Sequence, residues 1–233
     1  MSEEKVLTKE IAEQFLADPW HIDLDPFTRF EAGAAEILVS HWPTDFLLTR
    51  LTSFEGDDDY IEGPSGLELN GLTELTDADA CQLSKCNGSS LSLNGLHRIS
   101  ESVLEHLVRF RGHFITLNGL RELSPSTAKA FRSCRARCVE LNGLESLSDE
   151  TAIELGRFRG SLWLNGLKTL SANAAKSIGD RSHELDLYGI TELSIETAEI
   201  LSKSNCLLHV SLDNLEKAVS KILLTHPHVA LNK

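Results

Sequence analysis

From residue 67 onward the chain repeats one arrangement of apolar and polar positions. Two aliphatic residues flank a single variable one, as in Leu67-Glu68-Leu69 and Val139-Glu140-Leu141. This alternation predicts a short strand with one buried face. In five units an Asn-Gly pair follows, at Asn70, Asn94, Asn118, Asn142 and Asn165. Next comes an aliphatic (Leu72, Leu96, Leu120, Leu144, Leu167, Ile190), and three residues later another (Leu75, Ile99, Leu123, Leu147, Leu170, Leu193). A hydroxyl residue then stands in every unit: Thr76, Ser100, Ser124, Ser148, Ser171, Ser194. It predicts a helix N-cap, because its oxygen can accept from an unpaired first-turn amide. Acidic residues such as Glu101, Asp149 and Glu150 follow, and apolar residues recur at helical spacing in Ala152, Leu155 and Phe158. Both features predict a short helix.

The first leucine of each phrase falls at Leu69, Leu93, Leu117, Leu141, Leu164, Leu187 and Leu212, in steps of 24, 24, 24, 23, 23 and 25. Leu24 and Leu48 extend the series backward, giving about nine units with the first two degenerate. One strand and one short helix cannot bury their apolar sides alone, so such units must stack. Strands stack about 4.8 Å apart and helices about 10 Å, so the helical side splays and the strand side becomes concave. The expected organisation is a single continuous domain: a capping helix over 1–20, a repeat array over 21–216 with an irregular loop at 55–66, and a cap over 217–233. The Gly after each Asn is read as permitting a positive-φ turn, and the stacked asparagines as a structural ladder.

The stretch "LSLNGLHRISESVLEHLVRFRG" resembles a leucine-rich repeat, in the form found in bacterial members with 23- to 24-residue repeats, over roughly residues 20 to 216. The resemblance implies an α/β horseshoe solenoid with a parallel β-sheet on the concave face and short α-helices on the convex face. It also implies a non-enzymatic scaffold for protein–protein interaction. One position departs: Leu72, Leu96 and Leu120 stand where the commonest form of the family carries Asn or Cys.

A hydrophobic content of 41% suits a packed core. No apolar run reaches the roughly 18 residues that cross a bilayer, and the charged start "MSEEKVLTKE" has no apolar leader behind it. A cytoplasmic protein is expected, its five cysteines reduced. The net charge of −13 opposes broad nucleic-acid binding. Candidate chemistry is thin. Asp57, Asp58 and Asp59 lack the ligand spacing of a calcium loop and read as solvated. Cys81, Cys86, Cys134 and Cys138 lack a zinc pattern, and Cys86 and Cys134 take the slot of Phe110 and Phe158. His226 and His228 read as part of the cap. No cofactor or metal is expected.

What varies inside the repeat is the outward side of each strand: Glu68, Ser92, Thr116, Glu140, Trp163, Asp186 and Ser211, flanked by Phe114, Ser161, Glu184, His209, Tyr188 and Asp213. Aromatics beside carboxylates make a recognition surface that steers a basic partner. The expected site for a protein or peptide is therefore Phe114, Glu140, Trp163, Glu184, Asp186, Tyr188 and His209. The alternative is an anion or nucleic-acid site on an arginine rim of Arg109, Arg111, Arg135, Arg137, Arg157 and Arg159. Placement at helix ends, where cations offset the helix dipole, accounts for most of that rim.

Overall fold

The computed structural model of the 233-residue chain describes residues 4–19, 21–40, 66–180 and 183–231. At the N-terminus, β1 (Val6–Leu7) leads into α1 (Lys9–Ala17), and β2 (Arg29–Phe30) precedes α2 (Ala34–Ser40). From there strand and helix alternate. The order is β3 (Gly66–Glu68), α3 (Asp77–Leu83), β4 (Ser90–Ser92), α4 (Glu101–Leu107), β5 (Phe114–Thr116) and α5 (Pro125–Ala128, continued by a 3₁₀ turn, Lys129–Ser133). It continues with β6 (Cys138–Glu140), α6 (Asp149–Leu155), β7 (Ser161–Trp163), α7 (Ala172–Gly179) and β8 (Glu184–Asp186). The last elements are α8 (Ile195–Ser202), β9 (Leu207–Val210), α9 (Lys217–Leu223) and β10 (Val229–Leu231). Strands β3 to β10 form one eight-stranded parallel sheet in sequence order, and β1 pairs with β2 apart from it. The fold is α/β.

The strand alternation decides which face is buried. The middle residues Leu67, Leu91, Ile115, Val139, Leu162, Leu185 and Leu208 are fully buried, as are Leu69, Leu93, Leu117, Leu141, Leu164 and Leu187. Against them pack the helix residues Ala80, Leu104, Phe131, Leu155, Ile178 and Leu201, each 0% exposed. Each such aliphatic contributes roughly 1.5–3 kcal/mol by leaving water, so the repeated leucines supply the bulk of the cohesion. The hydroxyl residues cap as expected. Thr76, Ser100, Ser124, Ser148, Ser171 and Ser194 each accept from the amide three residues on, at 3.0–3.2 Å, and Thr8 does the same for Ile11 at 3.3 Å.

The asparagines set the strand-to-strand register. Each side-chain oxygen accepts from the backbone amide of the equivalent residue in the next unit: Asn70 from Asn94 (3.3 Å), Asn94 from Asn118 (2.9 Å), Asn118 from Asn142 (2.9 Å) and Asn142 from Asn165 (3.0 Å). Asp25 starts the column by accepting from the Asn70 amide at 2.9 Å. The unit of Leu24 therefore lies directly against that of Leu69. Leu48, Asp57, Asp58, Asp59 and the loop at 55–66, up to residue 65, lie outside the described residues.

Two sequence expectations need correction. The glycines after the asparagines are not in the left-handed region, since Gly33 is the one described glycine with positive φ, at 89°. Close approach is what demands them: a Cβ on Gly143 would run into the Asn118 carbonyl of the preceding unit, and one on Gly119 into that of Asn94. The second correction concerns β9. Asp186 pairs with His209 and Leu185 with Leu208, so Val210, 0% exposed, takes the Leu187 slot that spacing assigned to Leu212. His209, not Ser211, is then the outward residue between two buried ones.

Candidate functional site

The outward face of the sheet carries two rows of side chains. One runs Ser90, Phe114, Cys138, Ser161, Glu184 and Leu207; the other runs Ser92, Thr116, Glu140, Trp163, Asp186 and His209. Phe114 and Leu207 are exposed large apolar residues, at 38% and 44%. The corrected register adds Leu207, which spacing alone missed; the alternation in "LLHV" was the available signal.

The expected residues do not form one cluster of contacts. Glu140 accepts from the Asn118 amide group at 3.2 Å, tying it to the ladder. Phe114 lies near the start of the sheet, three strands from Glu184 in the same row. Four of the expected residues do converge on β8 and β9. Tyr188 occupies the slot of a ladder asparagine, and its amide donates to Asn165 at 2.8 Å. Its phenol lies 3.0 Å from His209 Nδ1, with the rings edge-on at 5.7 Å and 87°. His209 Nε2 is 2.9 Å from Glu184 Oε1, without the alignment of a hydrogen bond. Asp186 is opposite both Trp163 and His209 in the sheet and is 6% exposed.

Electrostatics follow from that burial. Desolvation pushes the Asp186 carboxyl above its usual range, and Glu184 adds to it; His209, the Asn165 side chain and the Tyr188 amide oppose it. Burial, then the Asp186 and Glu184 charges, raise the Tyr188 phenol. Among the described residues, five buried polar side-chain atoms have no hydrogen-bond partner, and four are in one row: Thr116 Oγ1, Trp163 Nε1, Asp186 Oδ1 and His209 Nε2. An unmet buried group costs about 1–3 kcal/mol.

Other sequence candidates are distributed elsewhere. Cys81, Cys86, Cys134, Cys138 and Cys206 form no disulfide. Cys86 is 2% exposed in the slot of Phe110, and burial raises its thiol and pushes that of Cys134 up to about 11. Ser204 Oγ lies 3.0 Å from His226 Nε2, with the two residues 9% and 4% exposed, so this pair pins the C-terminal unit. Among the described residues no three His, Cys, Asp or Glu side chains gather as a metal site, and no helix is long and apolar enough to cross a membrane.

Part of the rim sits where a helix dipole draws cations, since Arg109 and Arg157 directly follow the C-caps Val108 and Gly156. Helices α4 and α6 end at Leu107 and Leu155, so Arg111 and Arg159 lie four residues past the last helical residue. The dipole acts within the last turn. Arg157 pairs with Glu154 at 3.0 Å, and Arg132 with the same carboxylate at 2.5 Å. Arg109, Arg111, Arg135, Arg137 and Arg159 are exposed and make no ion pair among the described residues. Compared with models of protein families and with curated proteins, the chain matches none of either.

Proposed function

We propose that the chain is a leucine-rich-repeat solenoid that serves as a non-catalytic scaffold, binding a protein or extended peptide on the outward, concave face of its sheet. The observation that carries this reading is an outward sheet face whose residues differ from unit to unit, with Trp163 and Tyr188 part-exposed beside Glu184 and His209. Exposed Phe114 and Leu207 on the same face supply apolar area, and Glu140 and Glu184 favour a basic partner. The repeated leucines, caps and ladder support the solenoid itself.

Affinity capture from the native host, read by mass spectrometry, tests the reading. Wild type is compared with the Trp163→Ala/Tyr188→Ala double variant, with circular dichroism confirming an unchanged fold. The same prey retained by both proteins would count against the sheet face; loss of specific prey in the folded variant supports it.

A further inference from the structure

Phe110, Cys134 and Phe158 are equivalent positions, each donating its amide to the residue three before it, at 2.9, 3.1 and 3.0 Å. The residues that follow, Arg111, Arg135 and Arg159, therefore hold corresponding positions after the helices of three consecutive units, three, three and two residues before β5, β6 and β7. Placing like charges at corresponding positions of neighbouring units is unfavourable by itself. Elsewhere the stacking places opposite charges side by side: Arg98 with Glu122 at 3.6 Å, Arg121 with Glu145 at 3.5 Å and Arg132 with Glu154 at 2.5 Å. Lateral neutralisation is thus the pattern on this surface, and the three arginines depart from it.

Two more features sit at the same edge. Arg137 is exposed and borders β6, its amide bonded to the His113 carbonyl at 2.9 Å. Phe114 follows His113 directly and is 38% exposed, on the strand next to Cys138. A track of cations with an open aromatic ring beside it is what single-stranded nucleic acid needs: charges for successive phosphates and a platform for a base. The chain's net charge of −13 does not cancel this local field, because distant charges are screened beyond about 8 Å at physiological salt.

We propose that Arg111, Arg135, Arg137 and Arg159, with Phe114, form a binding edge for single-stranded nucleic acid. It uses residues other than the Trp163–Asp186–His209 row and shares Phe114 alone with the sheet-face site, so the two readings fail separately.

Fluorescence anisotropy of a labelled oligo-dT strand, titrated across a range of salt, tests the edge, with inorganic polyphosphate as the competing arm. Arg111→Gln/Arg135→Gln/Arg159→Gln should reduce the log–log salt slope by about 2, and Phe114→Ala should weaken oligo-dT about tenfold while leaving polyphosphate unchanged. Trp163→Ala/Tyr188→Ala should bind oligo-dT as wild type does. No binding at low salt, or equal binding by wild type and the triple variant, would overturn the edge. Equal affinity for polyphosphate with no effect of Phe114→Ala would overturn the nucleic-acid assignment.

Discussion

Asn165 accepts a hydrogen bond from the Tyr188 amide at 2.8 Å, and there the column of asparagines ends. The backbone pattern continues while the side chain changes from ladder amide to phenol, which reaches across to His209 at 3.0 Å. The transition from uniform ladder to varied surface thus falls within a single repeat slot.

The ladder amides are strong stabilisers because each meets a backbone N–H that the sheet leaves unpaired. Asn118→Ala should cost about 1–3 kcal/mol, since the Asn142 amide, now bonded at 2.9 Å, would lose its acceptor. Asn118→Asp keeps that acceptor but loses the donation to Glu140, now at 3.2 Å, and sets two carboxylates together, so it should not recover the loss at neutral pH. Urea unfolding of the three proteins ranks them; equal midpoints would show that the ladder carries no stability.

Close approach, not backbone conformation, holds Gly143 in place. Gly143→Ala should therefore destabilise beyond the few tenths of a kcal/mol usual for a surface change, because the new methyl meets the fixed Asn118 carbonyl. Gain of the stability that Ala normally brings by restricting the unfolded chain would show that neighbouring units can slide apart. Thermal unfolding reads the sign.

His226 makes the C-terminal unit sensitive to acid. Its Nδ1 accepts from the His228 amide at 2.9 Å, so the neutral ring donates from Nε2 to Ser204, next to Cys206. Burial, then the His228 charge, hold its pKa below 6.5, against a smaller opposing effect of Ser204. The unfolded chain therefore takes up the proton first as pH falls. Stability present above pH 6.5 declines below it, until the folded form also protonates. His226→Gln should flatten the fall in melting temperature between roughly pH 7.5 and 5.5; parallel curves for variant and wild type would refute this assignment.

Period and residue type alone made the strands, the caps and the buried leucines legible, because each depends on neighbours a few positions away. Ser148 caps α6 whatever packs against the helix, and Leu141 lies inside because strand side chains alternate. The ladder was legible as well, since one amide repeated at strand spacing has few other uses. The β9 register was not: "LLHV" and "SLDNL" both alternate, and only pairing with β8 selects Val210 over Leu212. Nor was the reason for the glycines, which lies in a carbonyl 25 residues earlier in the chain, Asn118 against Gly143. Likewise, spacing assigned the arginines to helix ends, while the three-dimensional structure puts Arg111 and Arg159 four residues beyond them, and Arg111, Arg135 and Arg159 make no ion pair among the described residues.

The sequence by itself determined that strand and helix alternate, where the hydroxyl-capped helices begin and which side of each strand is apolar, because local hydrogen bonding and side-chain periodicity control those features. Tertiary structure decided which unit lies against which and which polar atoms lose water without gaining a partner. Those outcomes depend on groups brought together across neighbouring units, as Asp186 is placed between Trp163 and His209.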